Sequence, residues 1–555
     1  MSTKIKKLAI AHPYAVLFII CLCCAIFNPL EKGHTYLPGL IIMFIVQSVI
    51  IVFGCIYSRK YFSIIEYLGF TFILLIIAFY LDYNYLTLED PIEMIAAAGI
   101  VFTIGLGFIW ALQKKLTTKR IILLLFILGF TIRLVYIIET GWGDRQHDFG
   151  GNNGHLNYIE FFYKYNFTAL PPVDTENVNQ FYHPPFYYAI AALWFKIQNL
   201  IIGAPGAEIS ELAKENLQLL TLFFSSTCMI ISYKIFNSFK MSSKGLIAST
   251  AIVAFHPTFI ILSGSINNDI LSIMFFLAAI LCTIQWYKNP TLINILKIAF
   301  AVGFGMMTKL SVALVAPAIA LLFIIKFFKS KTYFKFIKQF SAFTTVVVPL
   351  GLWWGIRNFF YNNVPLTYIP KIKTEGHSQY LGQYSIWQRL FDFSSADVWM
   401  ARGSYYGYEY REHNLALMIL KTSLFGEYYI GKSQTHTYYF SNVLFFANLI
   451  ICIIAVLAII YFIFKKTEIV SNAFRVFFGV LYVTIMGSYI KFCFDFPHDC
   501  TMDFRYIVPT VIIGAFFIGL SMPGEKIKPQ KWYNAFLTVL IFIFCISSMF
   551  LYITL

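Results

Sequence analysis

The stretch "RIILLLFILGFTIRLVYIIE", residues 120–139, is followed at Gly141–Phe162 by "GWGDRQHDFGGNNGHLNYIEFF". A helix of about twenty apolar residues rises far enough to cross the roughly 30 Å hydrocarbon core of a bilayer. The next segment has the opposite character. Residues 143–156 hold two aspartates, two histidines, one arginine and four glycines. A membrane helix that delivers such a cluster at its end decides the fold class and raises the question of what the cluster does.

The rest of the chain agrees with the first half of that reading. Of 555 residues, 59% are hydrophobic and only 12% are charged, against about 25% charged in soluble proteins. Too few charges are present to cover a water-facing surface. The apolar residues also run too long, and alternate too little, for the strands of a membrane β-barrel. The expected fold is therefore an all-α polytopic integral membrane protein with about 13–16 transmembrane helices. The net charge of +15 resides in short lysine clusters at helix ends, as the positive-inside rule expects, and no nucleic acid partner follows from it. The ten cysteines show no metal-ligand or disulfide spacing.

Apolar runs lie at about 8–28, 36–57, 62–82, 93–112 and 120–139, then at about 216–236, 245–263, 270–287, 293–308, 310–326, 341–360, 440–464, 472–491, 505–521 and 532–553. The first is read as a retained helix with its lysines in the cytoplasm. Alternation of basic and non-basic joins then puts residues 140–185 and 361–439 outside. By that parity the run 186–202 does not cross once: it lies in the interface, which is the favoured reading, or re-enters, or one of the other spans is misplaced. The chain divides into an N-terminal extension (1–115), a core (116–525) carrying the two outer loops, and a last helix (526–555).

Polar residues gather at the same rim. Asp144 and Asp148 sit just past the helix end, in a segment whose glycines let backbone approach a ligand. A solvated loop explains either aspartate alone. A carboxylate at the edge of a membrane cavity would be partly desolvated and suited to act as a general base. "NGHLNYIEFFYKYNF" reads as a short amphipathic helix that opens near Asn153 and lies on the bilayer. In "FYHPPFYY", two prolines leave His183, next to Tyr182, at the head of an apolar run. "SGSINNDIL" places Asn268 and Asp269 at a helix start, where an N-cap is an equally good explanation. Lys309 falls between two apolar runs, either snorkelling or facing an anion. Arg357 and Asn358 end another helix. "DFPHDCTMDFRYIVP" holds Asp495, His498, Asp499, Asp503, Arg505 and Tyr506. The adjacency of His498 and Asp499 and the lack of a second histidine argue against a metal there. Arg505 is suited to grip a phosphate through paired charged hydrogen bonds.

Taken in order, these motifs resemble the GT-C superfamily of glycosyltransferases, in the branch that contains protein O-mannosyltransferases and the lipid A aminoarabinose transferase (glycosyltransferase family 39-like). The resemblance runs over about residues 120–510. It is carried by "GDRQHDFGGNNGHLNYI", "HPPFYY", "SGSINNDIL", "GFGMMTKLSVAL", "WWGIRNFFYNNVPLTY" and "FRYIVP". Where the family often has Asp-Glu, this chain has Asn152 and Asn153, so Asp148 or Asp144 would supply the carboxylate. The resemblance implies a GT-C-like helical bundle with juxtamembrane helices on the outer face. It also implies an enzyme that takes a sugar from a polyprenyl-phosphate carrier and inverts its anomeric centre. Asp148 or Asp144 would be the base, with Asp269 positioning substrate. Arg505, His183 and Lys309 would bind the donor phosphate, and His155, Asn268, Tyr182, Tyr506 and Arg357 would contact substrate. No cofactor or metal is expected, because a phosphate ester leaves without one. The partners implied are the donor, membrane lipids and a glycan, lipid or protein acceptor, with the site facing outward from a bacterial plasma membrane. A flippase for lipid-linked sugars would instead place charges mid-membrane. An acyl- or phosphotransferase would use the same rim.

Overall fold

The computed structural model describes residues 12–26, 91–143, 154–173, 180–202, 211–371, 379–393, 412–426, 435–465, 470–522 and 528–554. The expected runs 36–57 and 62–82 lie outside them. Among the described residues every regular element is helical, and a single isolated bridge pairs Tyr380 with His498. The helices are α1 (Pro13–Ile26), α2 (Pro91–Leu112), α3 (Thr118–Glu139), α4 (His155–Lys164), α5 (Phe186–Ile202), α6 (Glu211–Asn237), α7 (Ser243–Phe255), α8 (Pro257–Gly264) and α9 (Asp269–Lys288). They continue as α10 (Leu292–Thr308), α11 (Ala316–Phe328), α12 (Tyr333–Asn362), α13 (Ile386–Phe391), α14 (Leu415–Phe425), α15 (Thr435–Phe464), α16 (Asn472–Asp495), α17 (Pro509–Ser521) and α18 (Lys528–Thr554). Nine segments among the described residues are long and apolar enough to cross a membrane, and further apolar helices are shorter. The chain is a polytopic all-helical membrane protein.

The run expected as one helix at 245–263 is two, α7 and α8, with the break at His256–Pro257. Proline has no N–H and cannot close the helical bond to Val253. Inside a bilayer the freed carbonyls need other donors. Arg133 of α3 supplies two of them, donating to Ala254 O at 2.6 Å and Val253 O at 3.3 Å. Ser548 of α18 donates to Phe255 O at 2.6 Å, and Thr258 N–H turns to His256 Nδ1. Arg133 is fully buried and also bonds Ser225 Oγ and Gly129 O. The one charge in the middle of α3 is thus a clasp for a broken neighbour.

Close helix crossings depend on small residues, as membrane packing favours. Helices α7 and α17 meet at Gly245 and Gly519, where a Cβ on Gly245 would lie 2.1 Å from Gly519 O. Ser249 Oγ donates across the same crossing to Ala515 O at 2.7 Å.

The tightly connected run α9–α12 sets the position of the site. Short turns join α9 to α10 and α11 to α12, and the 3-10 turn Leu310–Val315 joins α10 to α11. Neighbours so connected run antiparallel. The first residue of α9, the residue after α10 and the last turn of α12 therefore return to one end of the bundle. These are Asp269, Lys309 and Asn358.

Candidate active site

At that end a cavity of about 440 Å³ opens. Its lining carries His155, His183, Asp269, Lys309 and Arg505. Apolar side chains of membrane-crossing segments, Leu314, Leu352 and Ile485, line it as well. Trp354, Tyr368, Tyr489 and Tyr506 add aromatic surface.

Lys309 is placed by the end of α10. Its N–H still bonds Gly305 O at 2.9 Å, but its backbone is extended, which swings the side chain out of the helix. It forms an ion pair with Asp269, whose side chain is 5% exposed. Asp269 is the first residue of α9, where the positive end of the helix dipole favours a carboxylate. Its N–H donates to Asn267 Oδ1 at 3.0 Å. Asn268 Nδ2 donates to Thr308 O at 3.1 Å and ties the start of α9 to the end of α10. The ion pair and this amide bond hold the same two helix ends together.

Arg505 comes from a distant part of the chain. It lies in the 3-10 turn Phe504–Tyr506, capped by Asp503, whose Oδ1 accepts the Arg505 N–H at 2.7 Å. Phe504 N–H donates to Thr422 Oγ1 at 2.9 Å, and Tyr489 O–H donates to Met502 O at 2.7 Å. The turn is anchored on both flanks. Arg505 Nη2 reaches Tyr506 O–H at 3.3 Å, and the Lys309 ammonium lies 5.1 Å from the Tyr506 ring centre. A crevice of about 20 Å³ between Asp269, Lys309, Arg505 and Tyr506 adjoins the cavity.

His183 follows the 3-10 turn Gln180–Tyr182 and precedes two prolines. Its carbonyl accepts from Tyr158 O–H at 3.2 Å, and Tyr182 O accepts from Trp354 Nε1 at 3.0 Å. The His183 ring stacks on His155 with centres 5.9 Å apart, and His155 Nδ1 is 2.8 Å from Tyr188 O–H. Burial, then the nearby Lys309, His155 and Arg505, hold the His183 imidazole well below its usual pKa. It is neutral at pH 7 and offers one N–H rather than a charge.

The structure thus brings together His155, Tyr182, His183, Asn268, Asp269, Lys309, Arg505 and Tyr506. Arg357 does not line the cavity. It donates to Asn358 Oδ1 at 2.8 Å and stacks over Trp354 at 4.8 Å, and those two residues do face the cavity. Asp144 and Asp148 lie outside the described residues. The chain resumes at Gly154, next to His155 of the cavity wall. Three other polar residues of "DFPHDCTMDFRY" are partnered and do not line the cavity. Asp495 pairs with Lys491 on an exposed face, His498 bridges to Tyr380, and Asp503 caps the Arg505 turn. Among the described residues no group of three His, Cys, Asp or Glu side chains is placed to hold a metal ion. Sequence reading missed the Asp269–Lys309 pair, although two antiparallel helices with a short turn make their outer ends neighbours. It also missed Gln180, Tyr368, Ser488 and Tyr489, which carry no motif.

A family model described as dolichyl-phosphate-mannose-protein mannosyltransferase matches residues 182–354. The match bears out the resemblance over that stretch, which contains Tyr182, His183, Asn268, Asp269, Lys309 and Trp354. No curated protein matches the chain. At the coarse level the match supports a membrane glycosyltransferase that uses a polyprenyl-phosphate-linked sugar.

Proposed function

We propose that this protein transfers a sugar from a polyprenyl-phosphate carrier to a hydroxyl or amine of a cell-envelope glycan, lipid or protein, on the outer face of the membrane, by a single inverting displacement. One observation carries the reading. Two cations and two histidines share a cavity that is also lined by apolar side chains of membrane-crossing segments. A ligand that satisfies both kinds of lining has an anionic head and a long apolar tail. Helices α12 and α16 both line the cavity, and the tail would lie along them.

In this mechanism Asp148, or Asp144, takes the proton of the acceptor. The acceptor oxygen or nitrogen forms a bond to the anomeric carbon while the bond from that carbon to the phosphate oxygen breaks. The electron pair leaves on the carrier phosphate. Arg505 and Lys309 hold that phosphate, with His183 donating one N–H. Charged hydrogen bonds of this kind each contribute about 1.5–3 kcal/mol, and the contribution is largest where charge develops in a dry site. Asp269 orients Lys309 and faces the sugar.

Transport of the same lipid is less well supported. Arg133, the charge in the middle of α3, is bonded to carbonyls and a hydroxyl of its neighbours and does not face a channel. The proposal is tested by mass spectrometry of lipid retained by the purified protein and by sugar transfer from a synthetic prenyl-phosphate donor. Retained prenyl phosphate together with transfer supports it. Retention of bulk phospholipid alone, with no transfer, contradicts it. Arg505→Ala is expected to raise the KM for donor by about 10- to 100-fold, the equivalent of one lost charged bond, with little change in KM for acceptor. Equal loss of both would remove Arg505 from the phosphate.

A further inference from the structure

Gly351, Trp354, Gly355 and Asn358 of α12 all line the cavity. Their spacing is that of one helix face. Ile356, Phe359 and Phe360 of the same helix are exposed. Trp354 spends its one N–H on Tyr182 O at 3.0 Å. Asn358 differs. It is 4% exposed, yet its side-chain amide is bonded at one end only. Asn358 Oδ1 accepts from Arg357 Nη1 at 2.8 Å and from Asn362 Nδ2 at 3.3 Å. Among the described residues nothing accepts from Asn358 Nδ2, and that atom is not sealed inside the protein.

The two ends of an amide have nearly the same shape, so its polarity is set by what it touches. Here the neighbour decides. A guanidinium only donates, so the amide atom beside Arg357 is the oxygen. The reverse orientation would set N–H against N–H. Arg357 is itself held in place, its guanidinium 4.8 Å from the Trp354 ring centre and 5.9 Å from that of Tyr361. Both N–H bonds of Asn358 Nδ2 are thus left for the cavity. A charged donor on the carbonyl end also polarises the amide and strengthens the N–H groups at the other end. A buried donor without a partner is costly, and the cavity is where this one can find it.

We infer that Asn358 binds the head group of the donor lipid, giving an N–H to one of its oxygens, and that Arg357 is the positioning residue that fixes this polarity. The inference rests on the proposed function for the identity of that lipid. Phosphate oxygens and sugar hydroxyls both accept hydrogen bonds, and the amide suits either. It does not suit an ammonium group, which only donates. Arg357, expected from the sequence to contact substrate, acts through its neighbour instead.

The test uses the full purified chain and two measurements. Farnesyl phosphate, which has the phosphate but no sugar, is titrated by calorimetry. Transfer kinetics give KM for the glycosylated donor and for the acceptor. Asn358→Asp keeps an oxygen for Arg357 and turns a second oxygen, rather than two N–H bonds, to the cavity. It is expected to weaken donor binding by about 10- to 100-fold. Weaker binding of farnesyl phosphate puts the amide on the phosphate. Unchanged binding of farnesyl phosphate with a raised KM for the glycosylated donor puts it on the sugar. No change in either overturns the inference, and so does a raised KM for the acceptor alone. Arg357→Met frees the amide to turn and should cost about 3- to 10-fold in the same parameter. Arg357→Lys, which returns one N–H to Asn358 Oδ1, should recover most of it. Arg357→Met equal to wild type, or no recovery with lysine, overturns the positioning role, and this pair decides the matter should Asn358→Asp fail to fold. A wild type that neither binds farnesyl phosphate nor transfers sugar defeats the proposed function and this inference with it. Wild-type binding and transfer that Asn358→Asp leaves intact defeat this inference alone.

Discussion

Lys309 and Asp269 meet across two helix ends in a place with little water, and this makes the pair sensitive to loss of one partner. Removing the lysine leaves a carboxylate that burial penalises, a loss of about 3–5 kcal/mol in comparable buried pairs. Lys309→Met is therefore expected to lower the melting temperature of the purified protein sharply, and adding Asp269→Asn to recover most of the loss. Independent, additive losses would show that the two do not act as a pair. His183 gives a second prediction. Its pKa is depressed in the folded state, so below its unfolded value of about 6.5 the unfolded chain binds more protons than the folded one. This contribution is intact above that value and is lost as the pH falls below it, by up to about 1.4 kcal/mol per pH unit. His183→Asn should flatten the dependence of melting temperature on pH between about 5 and 6.5. An unchanged slope would show that His183 does not titrate there.

At the scale of elements, much of the helical pattern was legible because apolar run length is a strong signal in a membrane chain. The break in the 245–263 run was marked by Pro257, yet what repairs it was not. Arg133 lies more than 110 residues earlier, and no local pattern couples the two. The Gly245–Gly519 crossing was hidden for the same reason. Gly245→Leu is expected to destabilise by about 1–3 kcal/mol, as overpacking does, because even a Cβ there would strike the Gly519 carbonyl at 2.1 Å. A melting temperature equal to wild type would mean that α7 and α17 can separate freely. For α13, Arg389→Gln should cost about 1–3 kcal/mol by leaving Cys493 O without its donor, while Arg389→Lys should lose less.

For the molecule as a whole, convergence on one rim could be read from alternating helix directions. The spatial partners could not, because Arg505 reaches the cavity from a part of the chain almost 200 residues beyond Lys309. Arg357 shows the limit of such reading, since its place in the sequence is right for the rim but its side chain packs behind Trp354. With two cations available for the leaving phosphate, a divalent metal is not needed in the proposed reaction. Chelation is expected to leave transfer unchanged. Inhibition that a divalent ion reverses would require a different account of phosphate binding.

The neutral state of His183 has a consequence for the bound ester. Lys309 and Arg505 against Asp269 leave one positive charge in excess among the described cavity residues, enough to match a phosphodiester. Cleavage turns that ester into a monoester carrying about −1.5 to −2 near pH 7. An imidazole beside that growing charge regains its basicity and can take up a proton. In the proposed reaction turnover would then draw a hydrogen ion into the site as the phosphate monoester forms, and the resulting imidazolium would grip the spent lipid, so that alkali hastens its departure.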